Sequence, residues 1–218
     1  MNQNATYLTE KYPGQEDSLW TPCIFDFFSK HTPGLKLPIS SCIKEPSNRR
    51  VYERRKHSGT LNFDGEVFKT NDKDLSEFLP RIDAVFGSNL NNDPVREVND
   101  IAGISPDIFL FQPKKEGVYI IENKPFYESI LDGNQGPGGA YIKFVKWLHN
   151  NNVPCEYLII HSSSWKEYQK VKQIQAELWP HFGLLLLEQI FLEMAKKEFT
   201  YPAISENWMN YTYTKPDY

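Results

Sequence analysis

The stretch Ser105–Lys124, SPDIFLFQPKKEGVYIIENK, constrains the fold of this chain more than any other. Two short apolar runs, Ile108–Phe111 and Val118–Ile121, are joined by a polar link that contains a glycine. Runs of β-branched and aromatic residues bounded by Pro and Gly are strand signals, and their separation suits a β-hairpin. With the loop centred on Lys114–Lys115, Asp107 falls directly opposite Glu122. Opposed residues of an antiparallel pair share one face, with Cβ atoms roughly 4.5–5.5 Å apart. Two carboxylates at that spacing repel unless one holds a proton or a cation lies between them. Lys124, two residues beyond Glu122, points to the same face. A slip of one residue would send Asp107 to the opposite side, so the expectation depends on the turn. Two acids and a lysine converging at a strand end predict a metal site. The plainer alternative is a salt-bridged strand end, in which a single lysine neutralises one of two acids.

Pro106-Asp107, an apolar strand, and then Glu122-Asn123-Lys124 resembles the pattern of the PD-(D/E)XK nuclease superfamily, the fold of many restriction and repair nucleases. The likeness is tight over this stretch and looser over the helix and strand that follow. It implies an α/β restriction endonuclease-like core, a mixed central sheet flanked by helices, with N-terminal additions. It also implies catalysis by Asp107, Glu122 and Lys124 with Mg²⁺ or Mn²⁺. Asp107 would bridge the metals, and Glu122 with the backbone carbonyl of Asn123 would complete the protein ligands. Lys124 would orient or deprotonate the attacking water. Hard oxygen ligands of this kind suit Mg²⁺ or Mn²⁺. In the resembled family a helix before the central strands often supplies a further metal-binding acid. Glu77 is the first candidate and Glu97 the next, with surface acids as the plain alternative. Some members carry a Gln followed by a Tyr in the helix after the lysine strand. Gln135 and Tyr141 resemble that pair at a wider spacing.

Composition sets the class. A chain of 218 residues, 40% hydrophobic and 24% charged, is an ordinary globular protein long enough to bury a substantial core. A net charge of −4 argues against holding nucleic acid by overall charge, although a local basic groove can still do so. Cys23, Cys42 and Cys155 lack zinc-finger spacing and read as reduced thiols of a cytoplasmic protein. The N-terminal stretch has no apolar h-region, so no secretory signal is expected, and no apolar run is long enough for a membrane span.

Three segments are expected: an N-terminal extension over 1–72 with a helix, a basic segment and a hairpin, a nuclease-like core over 73–200, and a C-terminal tail over 201–218. Residues 1–18 read as a polar lead-in. Thr21-Pro22 reads as an N-cap followed by Pro at the first helical position, opening an amphipathic helix to about Lys30 with Ile24, Phe27 and Phe28 inside. His31–Pro46 holds three prolines and a glycine and is expected to be a connecting loop. Arg49, Arg50, Arg54, Arg55 and Lys56 form a basic run, either a phosphate-contacting patch or a solvated helix face. Asp64-Gly65 between apolar residues predicts a two-residue hairpin.

Lys73–Phe86 carries a helical stripe, with Pro80 kinking it or delaying its start. Pro94–Val98 is expected as a short strand. Residues 133–139, GNQGPGG, form a Gly-rich loop entering a helix over Ala140–Asn150, with Tyr141, Phe144, Val145 and Leu148 on its buried face. Such a loop is either a seat for phosphate or a flexible connection. Lys143 and Lys146 lie off the apolar face and either touch a backbone phosphate or are solvated. Glu156–His161 is a buried strand, Ser164–Leu178 an amphipathic helix, and Gly183–Leu187 a further strand followed by helix through Met194. The strand–helix–strand order from Val118 to Ile160 implies a parallel pairing with a right-handed crossover. His161 ends a central strand, where ligands gather, and reads otherwise as a satisfied structural histidine. The tail packs on the core or on a second subunit of a homodimer.

The function expected from these residues is metal-dependent hydrolysis of phosphodiester bonds, with DNA favoured as partner and endonucleolytic action. The alternatives are a non-catalytic nucleic-acid- or protein-binding module on the same fold, or an RNA endonuclease.

Overall fold

The computed structural model of this chain describes residues 16–43, 52–54, 60–69, 78–90, 104–112, 117–125, 130–162 and 167–201. A turn of π-helix over Glu16–Trp20 leads directly into helix α1, Thr21–His31. Strands β1 (Leu35–Ile43), β2 (Tyr52–Arg54), β3 (Thr60–Phe63) and β4 (Glu66–Lys69) follow, then helix α2 (Leu79–Phe86). The remainder runs β5 (Ile108–Gln112), β6 (Gly117–Lys124), α3 (Ala140–Asn150), β7 (Cys155–His161), α4 (Tyr168–Leu178), β8 (Phe182–Leu186) and α5 (Leu187–Lys196).

The fold is α/β, with one mixed sheet flanked by helices. Seven strands lie in the order β2-β1-β8-β7-β6-β5-β4, and β3 also pairs with β1. β6, β7 and β8 are parallel neighbours, as a helical crossover between successive strands requires. β5 with β6, β4 with β5, and β1 with β8 are antiparallel.

The periodicity of the strands decides which helix covers which face. Phe109, Phe111, Val118, Ile120, Tyr157, Ile159, Phe182 and Leu184 alternate onto one face, where they pack with Phe78, Leu79 and Ile82 of the α2 region, with α3, and with Val171, Ile174 and Leu178 of α4. The intervening residues Ile108, Leu110, Tyr119, Ile121, Leu158, Ile160 and Leu185 face the other way, onto α1 and α5. Trp20 against Phe191 and Phe27 against Phe199 tie that second layer together, with ring centroids 5.6 and 5.2 Å apart. Among the described residues no helix is long and apolar enough to cross a membrane.

Two expectations for the N-terminal third are corrected. Residues 35–43, expected to lie in a connecting loop, are strand β1. Leu35, Leu37 and Ile39 are buried and alternate with exposed Lys36 and half-buried Pro38, a period-2 pattern that the surrounding prolines obscure. The strands flanking Asp64-Gly65 do not form a hairpin with each other: β3 pairs with β1 and β4 with β5. The bend is held against β5 instead. The Asp64 N–H donates to Gln112 Oε1 at 2.9 Å, and a Cβ on Gly65 would lie 1.8 Å from the Phe111 carbonyl oxygen. Because β3 and β4 are separated by two residues yet pair with strands far apart in the order, the sheet curls. Strands β1 to β4 therefore belong to the same sheet as the central strands.

Thr21 is also not the N-cap. The helix begins at Thr21 itself after an αR Trp20, with Pro22 in the first turn and no side-chain capping bond. Pro80 delays the start of α2, which opens at Leu79 with that proline in its first turn. The strand expected over 94–98 and the tail beyond Tyr201 lie outside the described residues.

Candidate functional site

The hairpin register is the expected one. Ile108 pairs with Ile121 and Gln112 with Gly117, so Asp107, the residue just before the ladder begins, falls opposite Glu122 when that register is extended by one step. Asp107 shares a face with Phe109, and Glu122 with Ile120, so both carboxylates lie on the α3 side of the sheet. Both are deeply placed, Asp107 at 8% exposure and Glu122 at 2%. Charges this far from water need partners. The backbone N–H of Asn123 donates to Asp107 Oδ2 at 2.7 Å. Lys124 Nζ lies 3.4 Å from Glu122 Oε1, with its side chain mostly covered.

Helix α3 supplies the next layer. Tyr141, in its first turn, hydrogen-bonds to Glu122 and to the backbone of Ser105. Burial, then the Glu122 and Asp107 charges, push this phenol above the ordinary tyrosine range, so it stays protonated and donates to the carboxylate. One hydroxyl thus ties the Ser105-Pro106-Asp107 segment to Glu122. Tyr157 on β7 stands behind it, with the two rings edge-on at 5.5 Å. Burial raises its phenol pKa, and Glu122, Tyr141 and Asp107 raise it further. Its hydroxyl donates to the backbone carbonyl of Gln135 at 3.1 Å. Sequence reasoning missed Tyr157. The signal was a tyrosine in a buried strand, two residues before Ile159, which lies beside Glu122 in the parallel register.

Of the expected site residues, the structure brings together Asp107, Glu122, Lys124 and Tyr141, with Gln135 joined through its main chain. The Asn123 side chain points to the other face, where it donates to Thr21 Oγ1 at 2.9 Å. Lys143 is exposed on α3, and Lys146 lies 4.0 Å from Glu177. Glu77, Glu97, Arg49, Arg50, Arg55 and Lys56 lie outside the described residues, as does the side chain of Arg54, whose backbone ends β2.

In the Gly-rich loop, read as a seat for phosphate or a flexible connection, several N–H groups already have partners. The N–H groups of Gln135, Gly139 and Tyr141 donate to the carbonyls of Asp132, Gly136 and Asn134. The Gly138 N–H donates to Glu177 Oε1 at 3.0 Å, placing a carboxylate where an anion would need to bind. Lys170 holds Asp132 at the loop's start at 2.8 Å. His161 is fully buried, its Nδ1 3.0 Å from the Ser162 carbonyl, and burial pushes its pKa down to about 3. It is a neutral imidazole at physiological pH. Cys23 and Cys155 are buried free thiols whose pKa values burial raises, so neither is poised as a nucleophile.

Among the described residues there is no cluster of three or more His, Cys, Asp or Glu able to hold a metal ion. The donor set that is present fits a hard cation that keeps much of its water. Mg²⁺ is commonly held by one or two carboxylates and retains several waters. Asp107 and Glu122 are two facing carboxylates with one nearby ammonium, leaving local negative charge for a cation to offset. Comparison with protein-family models, with curated proteins and with solved structures found no match to this chain.

Proposed function

We propose that the chain is a Mg²⁺- or Mn²⁺-dependent nuclease with a restriction endonuclease-like core, cutting phosphodiester bonds of DNA as an endonuclease. The observation that carries the reading is the convergence of Asp107, Glu122 and Lys124 on one face at the end of β6, in the register the motif requires.

Asp107 and Glu122, with the backbone carbonyl of Asn123, would hold the cation. When bound, it supplies Lewis-acid stabilisation of charge building on the phosphoryl oxygens. The chain's own groups do the rest. The Asn123 N–H fixes the Asp107 carboxylate, and the Tyr141 hydroxyl fixes Glu122. Lys124, in a largely water-excluded position, orients the attacking water and offsets negative charge on the phosphorane. The water oxygen forms the new P–O bond, the bond to the leaving oxygen breaks, and the proton of the water passes to solvent or to that leaving oxygen.

A binding module on the same fold is the second reading. It draws on the 2% exposure of Glu122 and its existing bonds to Lys124 and Tyr141, which a purely structural strand end would also have. RNA in place of DNA is the variant within the enzyme class. The two classes separate in an assay on plasmid, linear duplex, and single-stranded DNA and RNA, with Mg²⁺, Mn²⁺ or EDTA. The nuclease reading expects cutting of circular DNA that EDTA abolishes. Inert protein across all substrates and metals favours the binding module, and cutting confined to RNA moves the substrate class.

A further inference from the structure

Asn123 occupies the middle position of the Glu122-Asn123-Lys124 triplet, and it is bonded in two directions. Its backbone N–H donates to Asp107 Oδ2 at 2.7 Å, on the side of the candidate site. Its side-chain amide crosses to the opposite face of the sheet and donates to the Thr21 hydroxyl at 2.9 Å, where both residues are fully buried. Thr21 is the first residue of α1, and its hydroxyl meets the sheet by accepting this bond. The helix in turn is fixed by Cys23, Ile24, Phe27 and Phe28 in the second core layer. A buried polar pair of this kind has a narrow range of arrangements, because a buried amide left without its partner loses its hydration without compensation.

We propose that Thr21 is a positioning residue of the site. By anchoring the Asn123 side chain it sets the backbone of residue 123, and through that N–H it sets the Asp107 carboxylate against Glu122. The metal-dependent part of this inference rests on the nuclease reading; the positioning part rests on the two hydrogen bonds alone. It makes the N-terminal helix a working part of the site, although Thr21 and Asn123 stand 102 residues apart in sequence.

The test compares wild type, Thr21→Val, which keeps the shape and removes the hydroxyl, and Thr21→Ser, which keeps the hydroxyl. Two quantities are read: hydrogen exchange of the Asn123 amide in metal-free protein, and Mn²⁺ affinity by calorimetry. In Thr21→Val the amide should exchange faster and Mn²⁺ should bind about tenfold more weakly, the usual scale for losing a group that orients a ligand. Thr21→Ser should restore both. Exchange in Thr21→Val indistinguishable from wild type overturns the inference, as does equal loss in Val and Ser. Should the amide respond as expected while wild type takes up no Mn²⁺, the positioning stands and the nuclease reading fails.

Discussion

Lys124→Ala protein is expected to bind Mn²⁺ at least as tightly as wild type while cutting DNA about 10²–10³-fold more slowly, the scale for removing one preorganised transition-state donor. The two effects separate because Lys124 is no oxygen donor to a cation. Its ammonium lies 3.4 Å from Glu122 Oε1 and competes with a metal for that carboxylate's charge. Removing it leaves two facing acids with more negative charge, which favours a divalent cation. What disappears is the positive group that would meet charge on the phosphorane. Single-turnover cleavage at saturating Mn²⁺, beside calorimetry, reads both quantities. Loss of metal binding in step with turnover would reassign Lys124 to holding the strand end together, and unchanged turnover would remove it from catalysis.

Gly117→Ala should destabilise the fold by roughly 3–5 kcal/mol, since a backbone clash and a strained dihedral combine at one residue. Gly117 opens β6 with φ near 102°, a region L-residues rarely adopt, and an added Cβ would lie 2.0 Å from the Pro154 carbonyl oxygen. That carbonyl also accepts the Val118 N–H at 2.9 Å, so it cannot retreat without opening the start of the β6–β7 ladder. Gly87 is the control. It caps α2 with φ near 65° and has nothing within 4 Å of an added Cβ, so alanine there meets only the dihedral penalty, about 1–2 kcal/mol. Urea melts of the two variants measure the difference. Equal losses would mean that the approach of Pro154 to Gly117 relaxes at little cost.

The parts of the fold legible in the sequence are those set by local pattern. The β5–β6 register follows from two apolar runs and the length between them, and α3 runs over Ala140–Asn150 as its periodicity implies. The parallel placement of β7 follows from the helix that precedes it. Tertiary partners decide the rest. Asp64-Gly65 has the chemistry of a tight turn, yet the flanking strands find better partners in β1 and β5 than in each other. β1 was hidden because prolines and a glycine outweigh the alternation of Leu35, Leu37 and Ile39 in a local reading. Within the site, Asp107, Glu122 and Lys124 were legible because one hairpin carries all three. Tyr157 and Thr21 reach the site from β7 and α1, so their part in it depends on tertiary placement that the hairpin itself does not carry. In the Gly-rich loop, composition suggests exposed N–H groups, whereas those of Gln135, Gly138 and Gly139 donate to the loop's own carbonyls and to Glu177 from α4.

In the proposed site Asp107 and Glu122 share one divalent cation. Calorimetric titration of wild type and Asp107→Ala with Mn²⁺, without nucleic acid, tests that most directly. Saturable binding to wild type that is absent in Asp107→Ala is the predicted result. Equal affinity in the two proteins, with both shown folded by circular dichroism, would contradict it.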